Sequence, residues 1–206
     1  MEIPAELLQQ IHKSGYLRVH IRPTEFHKAR LRDTTHCHSV ILQAAVATNG
    51  WQYPIVMDTV DERGPDWIAG KATLDYLIEY WRFFQSGQFV HHLALREDHW
   101  GRLGLYHPQF FVPAKDRKYL SVTQAISTVT DVIEFGARLA YRGVLAPRAL
   151  VSIEFHGMAG RELTYMTPGR RLPDSFWFQD ESVRLEGSYK IEELIGRPRD
   201  IAIQLF

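Results

Sequence analysis

The sequence predicts a single α+β domain with a largely antiparallel sheet, and three observations carry that prediction. Strand-like and helix-like periodicities mix along the chain without the strict alternation of a parallel α/β fold. Within Glu79–Asp98, two runs rich in aromatic and β-branched residues flank Ser86-Gly87, a strong hairpin signal. From about 121 to 142, apolar residues keep helical spacing for about five turns, long enough to cover a sheet.

Pro4 to His12 reads as a short helix. Pro4 suits its first turn, Leu7, Leu8 and Ile11 form an apolar stripe, and Gly15 follows as a stop. Tyr16 to Arg22 alternates as a strand, with Leu17, Val19 and Ile21 on one face and Arg18, His20 and Arg22 on the other; Pro23 ends it. A second helix is expected from Asp33 to Thr48 (about 34–48). Cys37, Val40, Ile41, Ala44, Ala45 and Thr48 form its apolar face, and Asn49-Gly50 its αL stop. Trp51 to Asp58 reads as a strand that Pro54 pushes toward an edge. A charged turn, Asp61 to Asp66, then leads to a strand over Trp67–Thr73.

With Ser86-Gly87 as a two-residue turn, Phe84 faces Phe89, Arg82 faces His91 and Trp81 faces His92. His99 to Tyr119, broken by Gly101, Gly104, Pro108 and Pro113, is expected to be a long irregular excursion. Ser121 and Gln124 form a capping-box pair at the start of the longest helix, and Gly143 closes it. Leu150–His156 and Arg161–Met166 read as a second hairpin around Gly157–Gly160. A short strand over Ser182–Glu186, a helical turn over Ile191–Gly196 and a helix from Pro198 still running at Phe206 complete the expectation. The whole chain, 1–206, reads as one domain that could continue in a longer natural chain.

Lys plus Arg equals Asp plus Glu, at 24 each, so no global field draws nucleic acid or an anionic membrane. A partner of that kind needs a local patch. The single cysteine excludes an internal disulfide, which fits a reducing compartment. No secretory h-region opens the chain and no run of about 18 apolar residues occurs. A cytoplasmic location with no membrane partner is therefore expected.

One local patch does exist. Arg18, His20, Arg22, Lys28, Arg30 and Arg32 cluster in the first part of the chain and could track phosphates, although a solvated sheet face gives the same pattern. In the expected hairpin register Arg82 and His91 are neighbours, and both could donate to an anion. An aromatic core hairpin would place the same residues. Glu154 and His156 share a strand face with Ser152, and Glu162 and Thr164 are expected across from them. A carboxylate–imidazole pair can do acid–base work or hold a metal.

His36-Cys37-His38 is no metal site on a helix, because neighbours there point about 100° apart. Pro65-Asp66 lies far from Asp116-Arg117-Lys118, so a nuclease arrangement is poorly supplied. A P-loop, a dinucleotide fingerprint and a nucleophile elbow are absent, and no cofactor is expected.

The segments Tyr80–Asp98, Gly50-Trp51 with Tyr53-Pro54, and Val132–Ala140 resemble an uncharacterised group of bacterial hypothetical proteins. The resemblance implies a bacterial, cytosolic protein and supplies no activity. The R-F-x-x-S-G-x-F pattern of Arg82–Phe89 is similar to a segment of Schlafen-AlbA-type nucleic-acid-binding proteins. The acidic, Gly-Gly-containing motifs of that group are absent here, so no catalytic residue is carried over.

The leading expectation is a non-catalytic binding or assembly protein of a bacterial multi-protein system, with a protein partner or a second copy of itself. The first alternative is a nucleic-acid-binding module using the basic strand and loop. The second is a metal-dependent hydrolase or nuclease built on His91, Glu154 and His156.

Overall fold

The computed structural model describes residues 5–48, 51–57, 60–74, 77–102, 117–165 and 170–206. In chain order the elements are α1 (Ala5–His12), β1 (Tyr16–Pro23), α2 (Thr34–Ala44), β2 (Glu62–Arg63), β3 (Trp67–Leu74), β4 (Leu77–Phe84), β5 (Phe89–Ala94) and a 3₁₀ segment (Arg96–Arg102). They continue with β6 (Lys118–Ser121), α3 (Val122–Tyr141), β7 (Arg148–His156), β8 (Arg161–Thr164), β9 (Phe176–Trp177), β10 (Ser182–Lys190), α4 (Ile191–Gly196) and α5 (Pro198–Gln204).

Seven strands form an antiparallel sheet in the order β10-β7-β1-β5-β4-β3-β2, and β6-β8-β9 form a small second sheet. The fold class is α+β, as the mixed periodicities predict. Leu17, Val19 and Ile21 are buried on the inner face of the large sheet, against the helices. There α3 contributes Val129, Val132, Ile133 and Phe135, and Gly136 brings its backbone close over β1: a Cβ at that position would lie 3.7 Å from Ile21 Cδ1. The Ser121 cap is present, its Oγ accepting from Gln124 N at 3.3 Å. Helix α1 packs on the opposite, outer face, where Ile11 joins Trp67, Ala69, Ile78, Tyr80 and Ala94.

The aromatic hairpin forms, but one residue out of the expected register. Phe84 N donates to Gln88 O and Gly87 N to Phe84 O, each at 2.9 Å, so the loop is Gln85-Ser86-Gly87. Gly87 sits at φ +84°, the left-handed residue that a three-residue hairpin loop needs. Arg82 therefore pairs with Val90, Trp81 with His91 and Tyr80 with His92. Paired residues share a face, so the shift separates Arg82 from His91 by the thickness of the sheet.

The second expected hairpin does not form. Strand β7 lies between β1 and β10, while β8 leaves for the small sheet and pairs parallel to β6. The Arg161 side chain, at the start of β8, is fully buried. It grips both oxygens of Asp98, donates through Nε to Gly157 O at 2.7 Å and through Nη1 to Tyr119 O at 2.9 Å. That set of bonds ties β8 to β6 and the 3₁₀ segment.

Helix α2 stops at Ala44 instead of Thr48, and Val46 then makes an isolated bridge with Tyr53. Among the described residues, which exclude Asp58, the expected strand over 51–58 is otherwise missing. Side chains take its backbone donors: Ile55 N goes to Glu79 Oε1 at 2.8 Å and Val56 N to Gln52 Oε1 at 3.1 Å. Asn49-Gly50 lies outside the described residues, as do 103–116 of the expected irregular excursion. The expected charged turn holds the two-residue edge strand β2, β10 runs on to Lys190, and α5 ends at Gln204. Among the described residues no helix is long and apolar enough to cross a membrane.

Candidate binding cleft

Alternation on three adjacent strands builds the site. The same period that buries Leu17, Val19 and Ile21 sends Arg18, His20 and Arg22 to the outer face. Register then decides their company. One row across the sheet reads Arg184, Glu154, Arg18, His92, and the next reads Glu186, Ser152, His20, Val90. Helix α1 covers the outer face over β4 and β5, and among the described residues no helix covers the β10-β7-β1 half of that face. The result is a cleft of about 470 Å³ lined by these side chains together with Arg22 and Leu150.

Ion pairs hold most of its charges. Arg18 Nη2 donates to Glu154 Oε2 at 2.7 Å, and His156 Nε2 lies 3.2 Å from the same oxygen. Arg184 bonds Glu186 and places its Nε 3.6 Å from Glu154 Oε1. Arg22 makes no hydrogen bond or ion pair among the described residues. Three guanidinium groups against two carboxylates leave one positive charge, and Arg22 carries it. Ser152 is only 4% exposed, and its Oγ has no hydrogen-bond partner. His20 Nε2 is 2.6 Å from Gln88 Nε2.

Imidazoles gather where the cleft meets α1. His12 stacks on Tyr16 with ring centroids 4.2 Å apart, and Tyr16 stacks on His156 at 4.6 Å. His12 Nε2 and His92 Nδ1 share a hydrogen at 3.3 Å. Burial, reinforced by His12, His91, Arg18 and His156, pushes the His92 imidazole down to about 3. Burial also lowers His12, with His156 and Arg18 adding to it, and lowers His20, with Arg22 and Arg18 adding. All three rings are therefore neutral at pH 7.

The candidates proposed from sequence are dispersed by the fold. Arg18, His20 and Arg22 come together in the cleft. Arg82 shares their face but lies under the α1 side, 4.0 Å above the Trp67 ring and donating to Tyr80 OH at 2.9 Å. Lys28, Arg30 and Arg32 lie in the loop between β1 and α2. Arg32 pairs with Asp33 at 2.9 Å, Arg30 donates to Glu25 O at 3.0 Å, and Lys28 is exposed.

His91 is a correction. It is fully buried on the inner face, with Nε2 3.4 Å from Glu79 Oε2 and Nδ1 3.1 Å from Tyr53 OH. It therefore meets neither Arg82 nor the Glu154–His156 pair. Glu162 and Thr164 are in the small sheet, so they do not face Glu154. Cys37 is buried, and desolvation pushes its thiol up to about 12. Among the described residues no three His, Cys, Asp or Glu side chains converge as a metal-holding group.

Sequence reasoning missed His92, Arg184 and Glu186 as members of this face. The alternation of Val183 and Leu185 with Arg184 and Glu186 was a usable signal for β10, but its pairing with β7 was not readable. No protein-family model, curated protein or solved structure matches the chain.

Proposed function

We propose that this is a non-catalytic binding protein whose recognition face is the open β10-β7-β1 half of the sheet, and that it takes a compact charged ligand. The bacterial, cytosolic setting implied by the hairpin resemblance fits that role. One observation carries the proposal. Charged side chains of both signs are fixed against one another in a cleft that no element of the described chain covers. Such mutual pairing orders the groups before a ligand arrives, so less freedom is lost on binding.

Three guanidinium groups on one face also favour the nucleic-acid alternative. Its drawback is cancellation, because Glu154 and Glu186 answer two of the three. A polyanion would then gain little from counterion release: one uncompensated charge gives a log–log salt slope of about −1.

The test pairs two measurements on wild type and on an Arg18→Ala/Glu154→Ala double variant. Thermal-shift screening uses compact charged compounds, and fluorescence anisotropy uses labelled single- and double-stranded oligonucleotides at low and physiological salt. Stabilisation by a compact compound that the double variant loses, with weak oligonucleotide binding throughout, is the expected result. Tight oligonucleotide binding with a steep salt slope would replace the proposal by its alternative. A cleft that responds to no compound would refute it.

A further inference from the structure

We infer that the Arg22 end of the cleft is a subsite for one tetrahedral oxyanion, the phosphate group of a small ligand. The inference rests on the binding role proposed above and names the chemistry of what binds. Three residues with donor groups, His20, Arg22 and Ser152, line it from two adjacent strands. His20 lies directly opposite Ser152, and Arg22 follows two residues along the same face of β1.

Ser152 lines the cleft, and its buried hydroxyl has no hydrogen-bond partner among the described residues. Buried hydroxyls are normally satisfied, so an orphan one on a cleft-lining residue points to a place where a ligand atom could complete the bonding. Among the described residues no carboxylate answers Arg22. His20 adds an imidazole: with the Gln88 amide nitrogen, 2.6 Å away, donating to its Nε2, Nδ1 would carry the ring hydrogen and serve as a donor.

Two carboxylates also line the cleft: Glu154, already held by Arg18, and Glu186, across from Ser152 on β10 and already engaged by Arg184. An anion is thus directed to the β1 side. Arg22 alone could serve the two oxygens of a carboxylate in bidentate fashion. The hydroxyl and imidazole donors beside it give a third oxygen its partners, which selects phosphate.

Titration with inorganic phosphate, with acetate in parallel, followed by ¹H–¹⁵N amide shifts, tests the inference. Saturable shifts are expected at residues 20–22 and 150–152, with acetate weaker by about tenfold. Arg22→Gln should weaken phosphate by about tenfold or more, and Ser152→Ala by severalfold. Ser152→Ala should leave the thermal midpoint unchanged or raised, because the hydroxyl has no partner to lose.

Shifts confined to the Lys28–Arg32 loop would overturn the inference. So would a Ser152→Ala protein that melts lower yet binds phosphate as before, since the hydroxyl would then be structural. If phosphate fails while a screened compound still depends on Arg18 and Glu154, the subsite is wrong and the binding role stands. If both fail, both fall.

Discussion

Mild acid should loosen this protein through His92. The ring is 8% exposed and faces His12 on α1, Tyr16 and Arg18 on β1, His156 on β7 and Tyr80 on β4. It is held neutral down to about pH 3, whereas in the unfolded chain it takes a proton near its ordinary 6.5. A histidine depressed in this way costs nothing above pH 6.5. Below that, the unfolded chain binds the proton and the folded one does not, so stability falls as pH falls toward the folded value.

Between pH 7.5 and pH 5.0 the loss from His92 is about 2 kcal/mol. His12 and His20 are lowered as well and act in the same direction. Glu97 acts the other way: burial raises its carboxyl, so its protonation favours the folded state as pH drops. Urea unfolding followed by tryptophan fluorescence at both pH values, on wild type and His92→Gln, isolates the term. The wild type should lose about 2 kcal/mol more than the variant over that range. Because His12 ends α1 and bonds His92, amide exchange should rise first in Ala5–His12. Equal losses in the two proteins would refute the assignment.

Other outcomes follow from single contacts. Arg161→Met leaves the Asp98 carboxylate without its forked partner and should cost about 3–5 kcal/mol in urea unfolding; a loss under about 1 kcal/mol would mean that Asp98 finds water instead. Gly87→Ala places a Cβ 2.7 Å from Val144 O at φ +84°, so a loss of about 1–3 kcal/mol is expected in the same assay. A neutral result would show that the loop can take another conformation. Ser121→Ala removes the cap of α3 and should lower stability by about 1 kcal/mol, with Ser121→Asp recovering part of it.

Local chemistry was legible wherever neighbours in sequence decide it. The β1 alternation, the Asp33 and Ser121 helix starts, the α3 stripe and the hairpin around Ser86-Gly87 are settled by side-chain period and by hydrogen bonds within a few residues. These observations sufficed for the α+β class and for placing Arg18, His20 and Arg22 on one face. Hairpin register was not legible. A two-residue and a three-residue loop both use Ser86-Gly87, and the one-residue difference moved His91 into the core and His92 to the outer face.

Partnerships between distant strands were decided only in three dimensions. Arg161 bonds Asp98 across 63 residues of sequence while β8 pairs with β6, and β7 pairs instead with β10, which places Arg184 and Glu186 beside Glu154 and Ser152. Periodicity says which face a side chain takes, because the backbone geometry of one strand fixes it. What lies across from that side chain depends on which long-range contacts bury the most surface and satisfy the most buried polar groups. That competition involves the whole chain, and it turned a basic strand into a nearly charge-balanced cleft in which, among the described residues, Arg22 has no carboxylate partner.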